Sequence, residues 1–129
     1  MRAYGVILII VMGMFMFGCG GNNDGVNSVK VISATEGESM IKNESDIIIL
    51  DVRTEPEYES GHIKGAVLLP LDEISKRAQE VLKDKNKKIL IYCRSGSRSN
   101  RAAKLLVDMG YNNVYDFGGI IDYKGEIEK

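Results

Sequence analysis

The chain has 129 residues, with 17 Lys and Arg against 18 Asp and Glu, a formal net charge of −1, and two cysteines. That length holds one domain and little else. The balance of charge argues against a nucleic-acid binder, which would carry a global basic excess.

Met1 and Arg2 make a short positive start, and "AYGVILIIVMGMFMFG" (3–18) follows without a charge. Such a stretch suits a signal-peptide core and is marginal for crossing a bilayer, which takes ~20 residues. It ends at Gly18-Cys19, followed by "GGNNDG". This resembles a bacterial lipoprotein signal, although Met16 and Phe17 stand where that signal prefers Leu and a small residue. The resemblance implies a signal peptide over 1–18, lipid attachment at Cys19 and a lipid-anchored tether over 19–27. The expected location is the bacterial cell envelope, with the chain held by lipid to a membrane outside the cytoplasm. An uncleaved anchor and an ordinary secretory signal are the alternatives. If Cys19 carries lipid, Cys93 has no partner within the chain. An unpaired cysteine in an oxidising compartment is either buried and inert or kept for its reactivity.

Past the glycine- and asparagine-rich tether, short apolar runs alternate with helical patterns. "VKVI" (29–32) reads as a first strand and "EGESMIKN" (36–43) as a weak helix. "IIIL" (47–50) and "KILIY" (88–92) are continuous apolar runs, suited to strands covered on both faces. "AVLLP" (66–70) and "NVYDF" (113–117) are shorter strand candidates. "TEPEYESG" (54–61) reads as one or two helical turns, with Thr54 and Glu57 spaced as a capping box and Pro56 in the first turn. Leu71, Ile74, Ala78, Val81 and Leu82 fall at helical spacing, with Lys83 and Lys85 near the carboxyl end. Ala102, Leu105, Leu106 and Met109 do the same, and Gly110 is placed to stop that helix. Strands alternating with helices predict a single α/β domain over 28–129, built on a mainly parallel five-stranded sheet flanked by helices. In such sheets, working residues gather beyond the carboxyl ends of the strands. There "IIIL" runs into Asp51 and "KILIY" into Cys93.

The loop after Cys93 reads "RSGSRS". A thiol reacts as its thiolate, and Arg94 and Arg98 flank this one, with Arg101 a turn beyond. The following helix aims its amino end at the loop, adding partial positive charge and unpaired N–H groups. These features favour a thiolate and would also hold an anion above the sulfur. Gly96 allows a positive φ, and Ser95, Ser97 and Ser99 offer hydroxyls to the same space. The bland reading is a packed strand-end cysteine beside solvated arginines, but that reading predicts no particular loop composition.

"ILDVRTEPEYESGHIKGAVLLPLDEI" followed by "ILIYCRSGSRSNRAAKLLVDMGYNNVYDFGGI" resembles a single rhodanese domain, the sulfurtransferase fold. The resemblance runs over about residues 29–127 and rests on "DVR", "GHIKGA", the cysteine loop and the closing "GG", in the right order. It implies that Cys93 attacks the outer sulfur of a donor such as thiosulfate or a persulfide and holds it as a persulfide. The sulfur then passes to cyanide or a thiol. Backbone N–H groups of Arg94, Ser95, Gly96, Ser97 and Arg98 would cradle that sulfur, and the two arginines would attract an anionic donor. No metal or organic cofactor is implied, and a monomer is expected.

The family usually has Trp where Tyr123 stands and often Asn where Leu69 stands, departures expected to touch packing more than chemistry. Asp51 and Arg53 are expected to be mainly a structural pair near the site, with Arg53 held by Glu57 or Glu59. His62, in "GHIKGA", is expected to be scaffold rather than base. Two rivals remain. A cysteine phosphatase or arsenate reductase uses a C-x5-R loop, whereas Cys93 to Arg98 is C-x4-R, leaving room for one sulfur rather than a phosphate. A non-catalytic sulfur carrier or interaction module would use the same loop.

Overall fold

Two apolar runs form the middle of the sheet because both their faces are covered. Ile47–Asp51 (β2) and Lys88–Cys93 (β5) pair in parallel, with Ile47 opposite Lys88 and Asp51 opposite Tyr92. These contacts come from a computed structural model, which describes residues 28–129. The expectations placed on 1–18, on Cys19 and on the 19–27 tether lie outside the described residues. Among the described residues, no helix is long and apolar enough to cross a membrane.

In chain order the remaining elements are β1 (Lys30–Val31), α1 (Ala34–Asn43), α2 (Glu55–Ser60), β3 (His62–Ile63) and β4 (Val67–Leu68). They are followed by α3 (Ile74–Val81), α4 (Ser97–Asp108), β6 (Val114–Gly119) and β7 (Ile127–Glu128). Five strands make one sheet in the order β1-β6-β5-β2-β4, every neighbour parallel. The α/β domain with a five-stranded parallel sheet is therefore as the alternating pattern predicts. A second ladder was not predicted. β3 and β7 pair antiparallel, His62 opposite Glu128, and two-residue strands carry no periodicity to read.

Side chains alternate across a strand, and that alternation splits the core. Ile89, Ile91 and Cys93 share one face with Leu50 and Val52, packed under α3 and α4 through Ile74, Ala78, Ala102, Ala103 and Leu106. Ile49, Leu90 and Tyr92 face the other way, with Ile63, Ala66 and Phe117. Leu69 is fully buried on the Cys93 side, and Tyr123 packs on Phe117 with ring centroids 6.1 Å apart.

Local signals account for the helix ends. α2 has the expected capping box between Thr54 and Glu57. α1 begins earlier than predicted because Ser33 caps it, with Ser33 Oγ accepting from Glu36 N–H and Glu36 Oε1 from Ser33 N–H. Gly110, at φ 99°, sits in the left-handed region that ends α4. Lys85 lies beyond the end of α3 and does not serve it. Its ammonium donates instead to Met109 O at the end of α4, 2.8 Å away, where a cation complements the helix dipole.

Gly37 is the buried residue of α1, and a Cβ there would stand 2.8 Å from Phe117 Cγ. Alanine gains ~1 kcal/mol of helix propensity over glycine, while forcing a methyl into a packed core costs about 1–3 kcal/mol. Gly37→Ala should therefore lower the urea midpoint, and adding Phe117→Leu should recover part of the loss. A raised midpoint in the single variant would show that Phe117 yields freely.

Candidate active site

Cys93 ends β5 and is 1% exposed. The three residues Arg94, Ser95 and Gly96 turn the chain directly into α4, so the loop is shorter than its composition suggests. Ser97, Arg98 and Ser99 belong to the first helical turn. Gly96 occupies the N-cap position at φ 118°, a backbone state that L side chains rarely adopt. There its N–H donates to Cys93 Sγ at 3.0 Å. The twelve-residue helix begins at this point, placing the positive end of its dipole at the thiol.

β6 supports the loop from below. A Cβ on Gly119 would collide with the carbonyl of Arg94 and come within 2.7 Å of Ser95 Cα. Only glycine fits this close approach, and the β5–β6 register shifts there, with Cys93 opposite Gly119. Asp116, also buried, accepts from Ser99 Oγ at 2.7 Å and from Gly118 N–H at 2.9 Å. Ser99 is fully buried and is directed to this carboxylate and to Gly96 O, so its hydroxyl does not join those of the outer loop. Ser95 and Ser97 are exposed, as is Arg94. The Ser99–Asp116 bond was not legible beforehand, since nothing in "NVYDF" marks the aspartate as a loop support.

Asp51 lies on the face opposite to Cys93. Its register partner is Tyr92, whose hydroxyl donates to Asp51 Oδ2 at 2.6 Å and accepts from Ile63 N–H at 3.1 Å. Burial, then the bond to Asp51, pushes the Tyr92 phenol above its ordinary value, so it remains a donor. Arg53 binds the same carboxylate through its Nε and Nη2, the latter at 2.7 Å, and Nη2 also reaches Gly61 O. The expectation that Glu57 or Glu59 holds Arg53 is therefore corrected. The guanidinium folds back two residues because an already buried acid lies within reach. His62 stacks on Tyr58 with centroids 3.7 Å apart, and its Nδ1 lies 2.8 Å from Tyr58 O. Its Nε2 is 3.4 Å from Glu128, on β7. It holds the turn between α2 and β4, as expected of a scaffold residue.

Glu57 instead takes Arg98. Arg98 Nη1 donates to Oε1 at 2.7 Å and Nη2 to Oε2 at 3.0 Å. That pairing, against a smaller opposing effect of burial and with help from the Thr54 N–H and hydroxyl, lowers the Glu57 carboxyl to about 2. The same bond raises Arg98, burial opposes it, and the charges of Glu57 and then Cys93 add to the rise. Among the described residues, no group of three or more His, Cys, Asp or Glu could hold a metal ion.

The model of the family described as "Rhodanese-like domain" matches residues 33–126. The thiosulfate sulfurtransferase PspE of Escherichia coli is 37% identical over 73 residues, 57% of this chain and 70% of that protein. The putative sulfur carrier protein YrkF of Bacillus subtilis is 35% identical over 108 residues, 83% of this chain and 57% of that one. A tRNA uridine(34) hydroxylase of Hamiltonella defensa is 40% identical over 71% of this chain, which spans only 27% of its length. A solved "rhodanese with anions" from Escherichia coli superposes with TM-score 0.61 at 34% identity, covering 64% of this chain and 98% of that one.

The Glu57–Arg98 pair makes stability depend on acid. A carboxyl lowered in the folded state stabilises fully above its unfolded value, near 4.5, and that stability is lost as pH falls toward about 2. The Glu57 side chain is 30% exposed, so screening holds the effect to ~1 kcal/mol. Urea midpoints of the unsubstituted chain and of Glu57→Gln should differ near neutrality and converge between pH 4.5 and 2. A gap that survives at the acid end would assign the loss to helix capping instead.

Proposed function

The chain belongs to the family of rhodanese-like domains, and from that premise we propose that it is a sulfurtransferase working through a persulfide on Cys93. The observation that carries this reading is the Cys93 sulfur itself, seated at the amino end of α4 with the Gly96 N–H on it at 3.0 Å. The helix dipole and that N–H both favour negative charge at this atom, as does the exposed Arg94 that follows it. A nucleophile activated by its surroundings needs no separate base.

With thiosulfate, the Cys93 thiolate attacks the outer sulfur and forms a new S–S bond. The bond from that sulfur to the sulfonate breaks, and its electron pair leaves with sulfite. With a persulfide, the same attack on the terminal sulfur releases a thiolate. Cyanide or a thiolate then attacks the outer sulfur of the Cys93 persulfide, and the electron pair returns to Cys93 Sγ. No step takes electrons from outside the donor and acceptor. The backbone N–H groups from Arg94 to Arg98 would hold the transferred sulfur, with Ser95 and Ser97 at its rim.

Two features favour sulfur over phosphate chemistry. The C-x4-R loop turns into α4 after three residues, a tighter turn than the C-x5-R loop that encloses a phosphate. Arg98, the residue that would clamp a phosphoryl oxygen, turns both its Nη atoms to Glu57. A sulfur carrier would differ only in its acceptor, a partner's thiol rather than a small molecule.

Incubation with thiosulfate or a persulfide should add the mass of one sulfur atom to the intact protein, and cyanide should remove it. Cys93→Ser should abolish both changes while leaving the urea transition in place. Sulfur transfer surviving in that variant would overturn the assignment.

The proposal extends to an anchor: lipid on Cys19, with 1–18 removed, would hold the domain at a membrane outside the cytoplasm. If the eight residues after Cys19, "GGNNDGVN", behave as a random chain, they would span about 16 Å. Several acyl chains at ~0.8 kcal/mol per buried CH₂ would hold firmly where one would not. Growth with a labelled fatty acid should label the protein, and Cys19→Ser should abolish the label. An unlabelled protein beginning at Met1 would instead indicate a retained anchor.

A further inference from the structure

We infer that Glu57 determines donor specificity: by neutralising Arg98 it turns the site away from dianionic thiosulfate and toward sulfane donors of low charge, persulfides above all. The inference rests on the sulfurtransferase reading of Cys93 and adds the class of donor to it.

The geometry concerns one edge of one side chain. A guanidinium recognises a planar or trigonal oxyanion through two parallel N–H groups. In Arg98 both Nη atoms already face a carboxylate, at 2.7 and 3.0 Å. Glu57 is held in turn, because its Oε1 also accepts from Thr54 N–H at 3.0 Å and Thr54 Oγ1 at 2.9 Å, as the third residue of the α2 capping box. Rotating Glu57 away to free Arg98 would uncap the helix. Its carboxyl ionises at about 2, so no working pH releases the arginine by protonation.

What remains for a donor on the loop itself is Arg94, which is exposed and has no carboxylate partner among the described residues, with the exposed Arg101 a turn further along α4 and the partial charge of the α4 terminus. Asp51 and Arg53 cancel each other on the far face of the sheet. Thiosulfate brings two negative charges to a thiolate, so its attack gathers three. A persulfide reacting as RSSH brings none. Loss of one unit of positive charge at the mouth therefore weighs on the first donor and hardly on the second.

The experiment compares kcat/KM for thiosulfate and for hydroxyethyl persulfide in the full chain and its variants. Glu57→Gln keeps an oxygen for Thr54 but presents an amide to Arg98, and it should move the donor ratio about tenfold toward thiosulfate. Arg94→Gln should move it by a similar factor the other way. Should Glu57→Gln fail to fold, Arg98→Gln reports the same balance in the opposite sense, because it leaves Glu57 uncompensated and should shift the ratio toward the persulfide. Sulfur transfer with a donor ratio that stays within about twofold in these variants would overturn the specificity role alone. Failure of both donors to load Cys93 in the unsubstituted chain would overturn the sulfurtransferase reading beneath it.

Discussion

Asp51 carries a carboxylate to the end of a central strand where no water reaches it, 0% exposed. A charge so placed must be surrounded by donors or its burial costs several kcal/mol. Arg53 supplies its backbone N–H, Nε and Nη2, and Tyr92 supplies its hydroxyl. Each donor is itself tied elsewhere, Arg53 to Gly61 O and Tyr92 to the Ile63 N–H. One buried acid thus fastens β2, β5, β3 and the end of α2 together. Breaking such a cluster at one member leaves an uncompensated charge, which is why its parts depend on each other.

The position of the thiol follows from that fastening. Tyr92 is directed to Asp51 on one face of the sheet, so the next residue, Cys93, must turn to the other. On that face it meets α4, whose first turn is set by Gly96 and by the carboxylate of Asp116 holding Ser99 and Gly118. The glycine pair at the end of β6 lets the loop settle onto the strand. The thiol on one face of the sheet is therefore placed by a charge cluster on the other.

Charge near the sulfur is correspondingly moderate. Arg98 faces Glu57, Arg53 faces Asp51, and Arg94 is left exposed. The helix terminus and the Gly96 N–H supply the rest of the field. The field at the sulfur is therefore set more by backbone groups than by free side-chain charges.

Much of this was legible in the amino-acid order, for reasons of short range. Continuous apolar runs at 47–50 and 88–92 suit strands covered on both faces. Thr54 and Glu57 announce a helix start, and the glycine-bearing loop after Cys93 announces the turn from strand into helix. Those signals lie within one element and its neighbour. Tertiary structure alone decided the partners of the charged side chains. Glu57 and Arg98 are 41 residues apart, and Ser99 and Asp116 are 17 apart. Nothing local distinguishes Glu57 as a partner for Arg98 from Glu57 as a partner for Arg53. The short β3–β7 ladder, 63 residues across the chain where Gly65 N–H meets Glu128 Oε2, was hidden for the same reason. Pairing over such separations depends on where the packed sheet carries each side chain, and a side chain's position is a property of the whole core.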